Sequence, residues 1–282
     1  MRCLLSLFLA LSLSAMTALS QTPAMDSLRR VLLTEKLDSY VEALVGQPLA
    51  THAEECDFLI DACRLESDRS FVALHLYQHY TEAKWMGAEN VAVHIADEWI
   101  LNKKVSIDDV NFYRIFAFAE FNRLSLIGAE ARPLQLQDRK GNPVVLDFGE
   151  KAAKDQGDCC CNENPGRYAV LYFYSPTCST CRLTTPGLVR VLKPYAGRLD
   201  CYAVNVDTER EPWNAYLESH PDFAEAAEQL WDPEAEGDFP RDYGVLQTPQ
   251  LFLITPEGLI LGRRLDPAAL QELLQQVFDG NL

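Results

Sequence analysis

In the stretch "YFYSPTCSTCRLTTP", Tyr172 to Pro186, two cysteines stand three positions apart. A C-x-x-C pair has three chemical uses: thiol–disulfide exchange, a structural disulfide, or half of a tetrahedral zinc site. Zinc would want a second pair at similar spacing, whereas Cys159, Cys160 and Cys161 are consecutive and no histidine lies near them. Exchange wants a thiolate, because the thiolate is the species that attacks a disulfide sulfur. If a helix begins at Cys178, its unpaired N–H groups and positive dipole end favour that thiolate. Cys181, one turn later, is then placed to attack the mixed disulfide that Cys178 forms.

The elements that would hold the pair can be read on both sides of it. "YAVLYFY" is a continuous apolar run of the buried-strand type. A helix is expected from Cys178 to about Tyr195, with Pro186 removing a backbone donor inside it. Next come strand "CYAVNVD", helix "PWNAYLESH", a short strand near Leu230, strands "QLFLIT" and "LILGRRL", and a helix from Pro267 to Phe278. Upstream, "PLQLQDRKGNPVVLDF" gives two alternating runs around Arg139 to Asn142, a hairpin signal. Thr248-Pro249, just before "LFLI", is a dipeptide that can carry a cis bond and set backbone groups beside the sulfurs. Strands alternating with helices argue for an α/β unit with a mixed sheet, residues 126–282.

Before Leu126 the pattern is helical. Leu28, Val31, Leu32, Leu37, Val41 and Leu44 form one apolar face, Phe71, Leu74, Leu76 and Tyr80 another, and Phe112, Ile115, Phe116 and Ala119 a third. Ser106 with Asp109 reads as the start of that last helix. Residues 21–125 are expected to make a small all-α domain of four or five helices.

The chain's 25 basic and 41 acidic residues give a formal charge of -16, which repels phosphate backbones and argues against a nucleic-acid partner. Residues 1–20, "MRCLLSLFLALSLSAMTALS", read as a signal peptide: one Arg, an apolar run, then Ala18 and Ser20 before a cut at Gln21. The run falls short of the roughly 20 apolar residues needed to span a bilayer. The mature protein is therefore expected to be exported and soluble, and removal of Cys3 leaves eight of the nine cysteines in an oxidising compartment.

Cys56 and Cys63 would be held about 10.5 Å apart by an unbroken helix, so two buried thiols are expected there. Cys201 opens the strand after the helix, and a right-handed crossover brings its start to the edge where Cys159, Cys160 and Cys161 lie; a disulfide to one of the three is expected. His75 and His79 share a helical face without an evident third ligand, so a solvated or packing face is expected and no metal site. The acidic "DPEAEGDFPRD" reads as a turn and solvated loop.

Taken together, "YAVLYFYSPTCSTCRLTTPGL", "YGVLQTPQLFLI" and "LIGAEARPLQLQDRKGNPVVL" resemble the active-site segment, cis-Pro segment and opening hairpin of the thioredoxin superfamily, in particular its exported TlpA-like branch. "MGAENVAVHIADEWI" resembles a helical domain of unknown role that precedes such modules in exported Gram-negative proteins. The resemblance implies a periplasmic thiol-disulfide oxidoreductase without a cofactor. In it Cys178 attacks, Cys181 resolves, and Thr248 with Pro249 forms the groove for a substrate chain held by backbone hydrogen bonds. It also implies protein substrates bearing disulfides or thiols, and a membrane-embedded redox partner that resets the pair. Three positions depart from the family pattern: Thr177 stands where many relatives have Trp, Ser179-Thr180 replace Gly-Pro, and Tyr172 replaces the acid of thioredoxins proper. Two other classes share the pattern: a Cu(I) carrier, which would want an added Met or His beside the cysteines, and a non-catalytic protein that binds through its helical domain.

Overall fold

The computed structural model describes residues 23–148 and 167–280. Residues 1–20, expected to be a signal peptide, and the run Cys159 to Cys161 lie outside these residues, and with them the expected partners of Cys201. Contacts divide the chain into two compact units, Met1–Ala119 and Glu120–Leu282.

The first unit holds helices α1 (Pro23–Glu42), α2 (Leu49–Asp61), α3 (Glu66–Glu82), α4 (Ala88–Ile95) and α5 (Asp109–Asn122), with a π-helical segment Ala96–Leu101 after α4. Its core gathers Leu37 and Val41 from α1, Leu59 and Ile60 from α2, Leu76 and Tyr80 from α3, and Ile115 and Ala119 from α5. The stripe expected on α1 holds at Leu37 and Val41, with Leu44 packed against the core, but is corrected toward its start: Leu28, Val31 and Leu32 are exposed, and Leu33 and Tyr40 face the core instead. At 100° per residue, two apolar stripes lie side by side on α1, and only packing selects between them. The expected start of α5 also shifts. Asp108, not Ser106, accepts the Asn111 amide at 3.0 Å, and the Ser106 amide donates to Ser70 Oγ at 3.2 Å.

Helix α2 ends before Cys63, yet Cys56 and Cys63 remain buried free thiols. Burial pushes their pKa values up to about 12 and about 11. His75 is bonded to Asp38 Oδ1 at 2.7 Å, and the ring of His79 packs edge-on against Tyr80. No helix among the described residues is long and apolar enough to cross a membrane.

The second unit is built on a seven-stranded sheet in the order β2-β1-β5-β4-β3-β6-β7. Its strands are β1 (Leu134–Asp138), β2 (Pro143–Leu146), β3 (Tyr168–Tyr174), β4 (Leu199–Asn205), β5 (Glu228–Trp231), β6 (Gln250–Ile254) and β7 (Ile260–Gly262). Helices α6 (Ser179–Leu192), α7 (Arg210–Ser219), α8 (Pro221–Ala226), the short α9 (Phe239–Asp242) and α10 (Pro267–Phe278) connect and cover them. β3, β4 and β5 are parallel neighbours; β6 runs antiparallel beside β3, and β7 antiparallel beside β6. Six of the seven residues of β3 are buried, as a strand covered on both faces must be.

Local chemistry explains the boundaries. In the β1–β2 hairpin, Asp138 Oδ1 accepts the amides of Lys140 and Asn142, both at 2.8 Å, and Gly141 takes the positive φ of 87° that the turn needs. Asp266 caps α10 through the Ala269 amide at 2.8 Å, with Pro267 in the first turn. β7 is shorter than the apolar run "LILGRRL" suggests. Arg263 and Arg264 leave the strand to donate to Asn122 Oδ1 at 2.8 and 3.0 Å, so the last turn of α5 groups with the sheet. The acidic stretch is less solvated than expected: Asp232 is buried and accepts the Gly237 amide at 2.7 Å, and α9 forms behind it.

Candidate functional site

β3 ends at Tyr174, and the turn Ser175-Pro176-Thr177 delivers Cys178 to the N-cap of α6. There Cys178 Sγ accepts the backbone N–H of Cys181 at 3.3 Å, so a sulfur occupies the place that a capping oxygen usually fills. Cys178 is half-buried and Cys181 fully buried, a difference that separates the sulfur an incoming disulfide can meet from the one behind it. Helix α6 runs through Pro186, which lacks the N–H that would bond the Arg182 carbonyl; its ring is exposed, so the helix tolerates it.

The two sulfurs are driven apart electrostatically. Burial pushes the Cys178 thiol upward, but hydrogen bonds from Cys181, from Thr248 and from the amides of Cys181 and Thr180 outweigh it, and the net direction is down. For Cys181 burial dominates, the neighbouring Cys178 adds to it, and the pKa is pushed up to about 11. One thiol is thus prepared to attack while the other stays protonated.

Across from the pair lies the segment before β6. The Thr248-Pro249 bond is cis, and Cys178 Sγ donates to the Thr248 carbonyl at 3.4 Å. Antiparallel pairing of β6 with β3, Phe173 opposite Gln250, brings residues 70 apart in sequence into this contact. All four residues singled out from the sequence, Cys178, Cys181, Thr248 and Pro249, therefore sit together.

The sequence reading missed Asp207. It follows β4, and because β3 and β4 are parallel with Tyr174 opposite Asn205, the loops after both strands emerge at the same edge. Asp207 Oδ2 accepts Ser175 Oγ at 2.7 Å and Thr177 Oγ1 at 3.4 Å, and Ser175 Oγ in turn accepts the Thr177 amide at 3.1 Å. Arg182 adds a bond from Nε to the Pro176 carbonyl at 3.0 Å. The turn ahead of Cys178 is thereby pinned from two sides. The parallel register was the signal that could have found Asp207. Of the two positions expected to depart from the family pattern here, Thr177 is exposed, and Tyr172 is buried with its ring edge-on to Phe223.

The chain is similar to several known proteins. The model of the AhpC/TSA family matches residues 151–262. No curated protein matches the chain. Among solved structures, a thioredoxin-like protein from Bacteroides caccae is 16% identical with a TM-score of 0.61, covering 90% of this chain and 84% of its own. The thioredoxin domain of a thiol-disulfide oxidoreductase from Bacteroides vulgatus is 24% identical with a TM-score of 0.44, over 54% of this chain and 96% of its own. A thiol:disulfide interchange protein from a Bacteroides species is 22% identical with a TM-score of 0.43, over 54% of this chain and 90% of its own. A mixed sheet whose central strand runs into a helix capped by the first of two paired cysteines, within the stretch that the AhpC/TSA family model matches, gives the C-terminal unit a thioredoxin-like fold.

Proposed function

We propose that the protein is an exported, periplasmic thiol-disulfide oxidoreductase acting on other proteins, with Cys178 and Cys181 as its redox pair. One observation carries the reading above the rest. The more accessible sulfur, Cys178, is the N-cap of α6, where it accepts the Cys181 amide, and it lies against the cis Thr248-Pro249 segment. A thiolate at that point attacks one sulfur of a substrate disulfide, and the other substrate sulfur leaves as a thiol. Cys181 then gives up its proton and attacks Cys178 Sγ, which releases the second substrate thiol and leaves a Cys178–Cys181 disulfide. Two electrons have passed to the substrate. A membrane-embedded dithiol partner returns the pair to its reduced form, and every step runs backwards when the substrate supplies the electrons. The backbone around Thr248 and Pro249 offers hydrogen bonds to an extended substrate chain. Leu183 and Leu246, two residues from Cys181 and Thr248 in sequence, are 83% and 65% exposed and add apolar contact area.

Replacing Cys181 with Ser leaves a mixed disulfide on Cys178 with no resolving thiol. In the exported fraction this variant should accumulate reducible adducts with other proteins, and the Cys178→Ser/Cys181→Ser double variant should accumulate none. A Cys181→Ser variant as free of adducts as the double variant would sink the proposal.

A further inference from the structure

The turn that presents Cys178 is held by side chains on both sides. Its own backbone closes first: the Cys178 amide donates to the Ser175 carbonyl at 3.2 Å, a β-turn with Pro176 at its second position. The Thr177 amide donates to Ser175 Oγ at 3.1 Å. The Pro176 carbonyl is taken by Arg182, whose Nε donates to it at 3.0 Å. Arg182 also donates its own amide to the Cys178 carbonyl at 3.2 Å, so one residue grips the chain before and after Thr177. Helical side chains lean toward the N-terminus, which is why a residue four positions past Cys178 folds back over this turn.

On the other side Asp207 accepts the Ser175 hydroxyl, and Asp207 is itself held. Asn205, the fully buried last residue of β4, donates from Nδ2 to the Asp207 carbonyl at 2.9 Å and accepts the Asp207 amide on Oδ1 at 3.1 Å. Both ends of a buried carboxamide are spent on the backbone of one residue. Because Tyr174 lies opposite Asn205 in the parallel β3–β4 pair, this grip sits beside the end of the strand that carries the turn.

The two grips fix where Cys178 Sγ lies: 3.3 Å from the Cys181 amide nitrogen and 3.4 Å from the Thr248 carbonyl oxygen. An N-cap needs non-helical backbone, and Cys178 has φ −73° and ψ 121°. A turn free to rock about Thr177 would carry the sulfur off its partners, since hydrogen bonds weaken steeply as their angle closes.

We propose that Arg182, through the Pro176 carbonyl, and Asn205, through Asp207 and Ser175, are positioning residues that hold Cys178 Sγ at the helix terminus, where it attacks, without touching the sulfur. The inference rests on the exchange reading above and adds no bond-making step to it. The titratable and charged groups around Cys178 are Cys181 and Arg182 on α6, Asp207 after β4, Tyr172 of β3 and Tyr216 of α7. The charge of Asp207 opposes a thiolate and that of Arg182 favours one, so ionic strength separates an effect of charge from one of position.

The test uses the purified, reduced full chain and iodoacetamide, with alkylation of Cys178 followed by peptide mass spectrometry against pH. Each profile is taken at about 0.1 M and about 1 M salt, where charges are screened beyond about 10 Å and about 3 Å. Arg182→Met should raise the midpoint by about half to one pH unit, a roughly three- to tenfold loss of reactivity below it and the worth of one net hydrogen bond. The shift should be the same at both salt concentrations. Asn205→Ala should shift the midpoint the same way, and adding Asp207→Ala to it should shift it no further than Asp207→Ala alone, because both act on one contact. A folded Arg182→Met chain with the wild-type midpoint, a shift that vanishes at high salt, or Asn205 and Asp207 shifts that add would each overturn the inference and leave the exchange reading standing. Arg182 is exposed, so its variant decides the matter even where Asn205→Ala fails to fold by circular dichroism. The expected shifts in a chain whose Cys181→Ser form traps no mixed disulfide would keep the positioning and overturn the exchange reading.

Discussion

Asp207 Oδ2 accepts the Ser175 hydroxyl at 2.7 Å, tying the end of β4 to the turn that presents Cys178. Ser175 Oγ accepts the Thr177 amide and donates its one proton to Asp207, so Asp207 fixes the direction in which that hydroxyl points. Asp207→Ala should therefore lower stability by about 1–2 kcal/mol, the range for a hydrogen bond to a charged group that is only partly buried. It should also loosen the turn, weaken the hydrogen bonds that hold the Cys178 pKa down, and move the midpoint of Cys178 alkylation up toward that of an ordinary thiol. Asp207→Asn keeps an acceptor in place and should recover most of the loss. Urea midpoints for the two variants check this, and equal losses would count against a role for the acceptor.

The opposite shifts of the two thiols make a separate prediction. Alkylation of Cys178 by iodoacetamide, followed by peptide mass spectrometry, should rise with pH to a midpoint below that of an ordinary thiol, about 8.5. For Cys181 the midpoint should lie near 11. Above the lowered Cys178 value the rate levels off because the thiolate is already formed; below it the rate drops tenfold per pH unit. Coincident midpoints would contradict the hydrogen-bonding account of the N-cap.

Gly244 has φ +63°, and a Cβ added there would lie 2.2 Å from the Phe121 carbonyl oxygen. Both the backbone conformation and the space exclude a side chain. Gly244→Ala should cost about 2 kcal/mol or more, in the range of strained backbone positions. Because the same loop leads into Thr248-Pro249, the yield of mixed disulfides trapped on Cys178 in the Cys181→Ser background should fall with it. A urea midpoint equal to wild type would show that the loop can move away.

Acid should weaken the helical unit through His52. That ring is 1% exposed, bonded to Tyr80 Oη at 2.8 Å, and burial holds its pKa below the ordinary value. His79 is shifted in the same direction, also by burial. The unfolded chain therefore takes up these protons first as pH falls below about 6.5, so the contribution to stability is complete above that pH and is lost progressively beneath it. Urea midpoints at pH 7.5 and 5.0 should differ less in His52→Gln than in the wild type. An unchanged difference would assign the acid sensitivity to other groups.

The cysteine pair and its setting were legible because their signals are local. A buried-strand run, a turn, C-x-x-C and a following proline are adjacent in the chain, and the Asp138 turn announces the hairpin in four residues. The stripe on α1 and the start of α5 were misread for the opposite reason. Two apolar faces on one helix look alike until a partner helix chooses, and Ser106 and Asp108 are both good caps until Ser70 takes the Ser106 amide. Arg263 and Arg264 cut β7 short by reaching Asn122, more than a hundred residues away, and no pattern within the strand could have shown it.

What the sequence alone determined, then, is which residues could perform exchange: a helix terminus beside a thiol is written in the spacing of Cys178 and Cys181. What only the tertiary structure decided is the environment that tells the two sulfurs apart. Parallel pairing of β3 with β4 sets Asp207 before the pair, and antiparallel pairing with β6 sets the Thr248 carbonyl against Cys178. Desolvation and hydrogen bonding depend on what surrounds an atom in three dimensions, and the carbonyl that meets Cys178 lies 70 residues away along the chain.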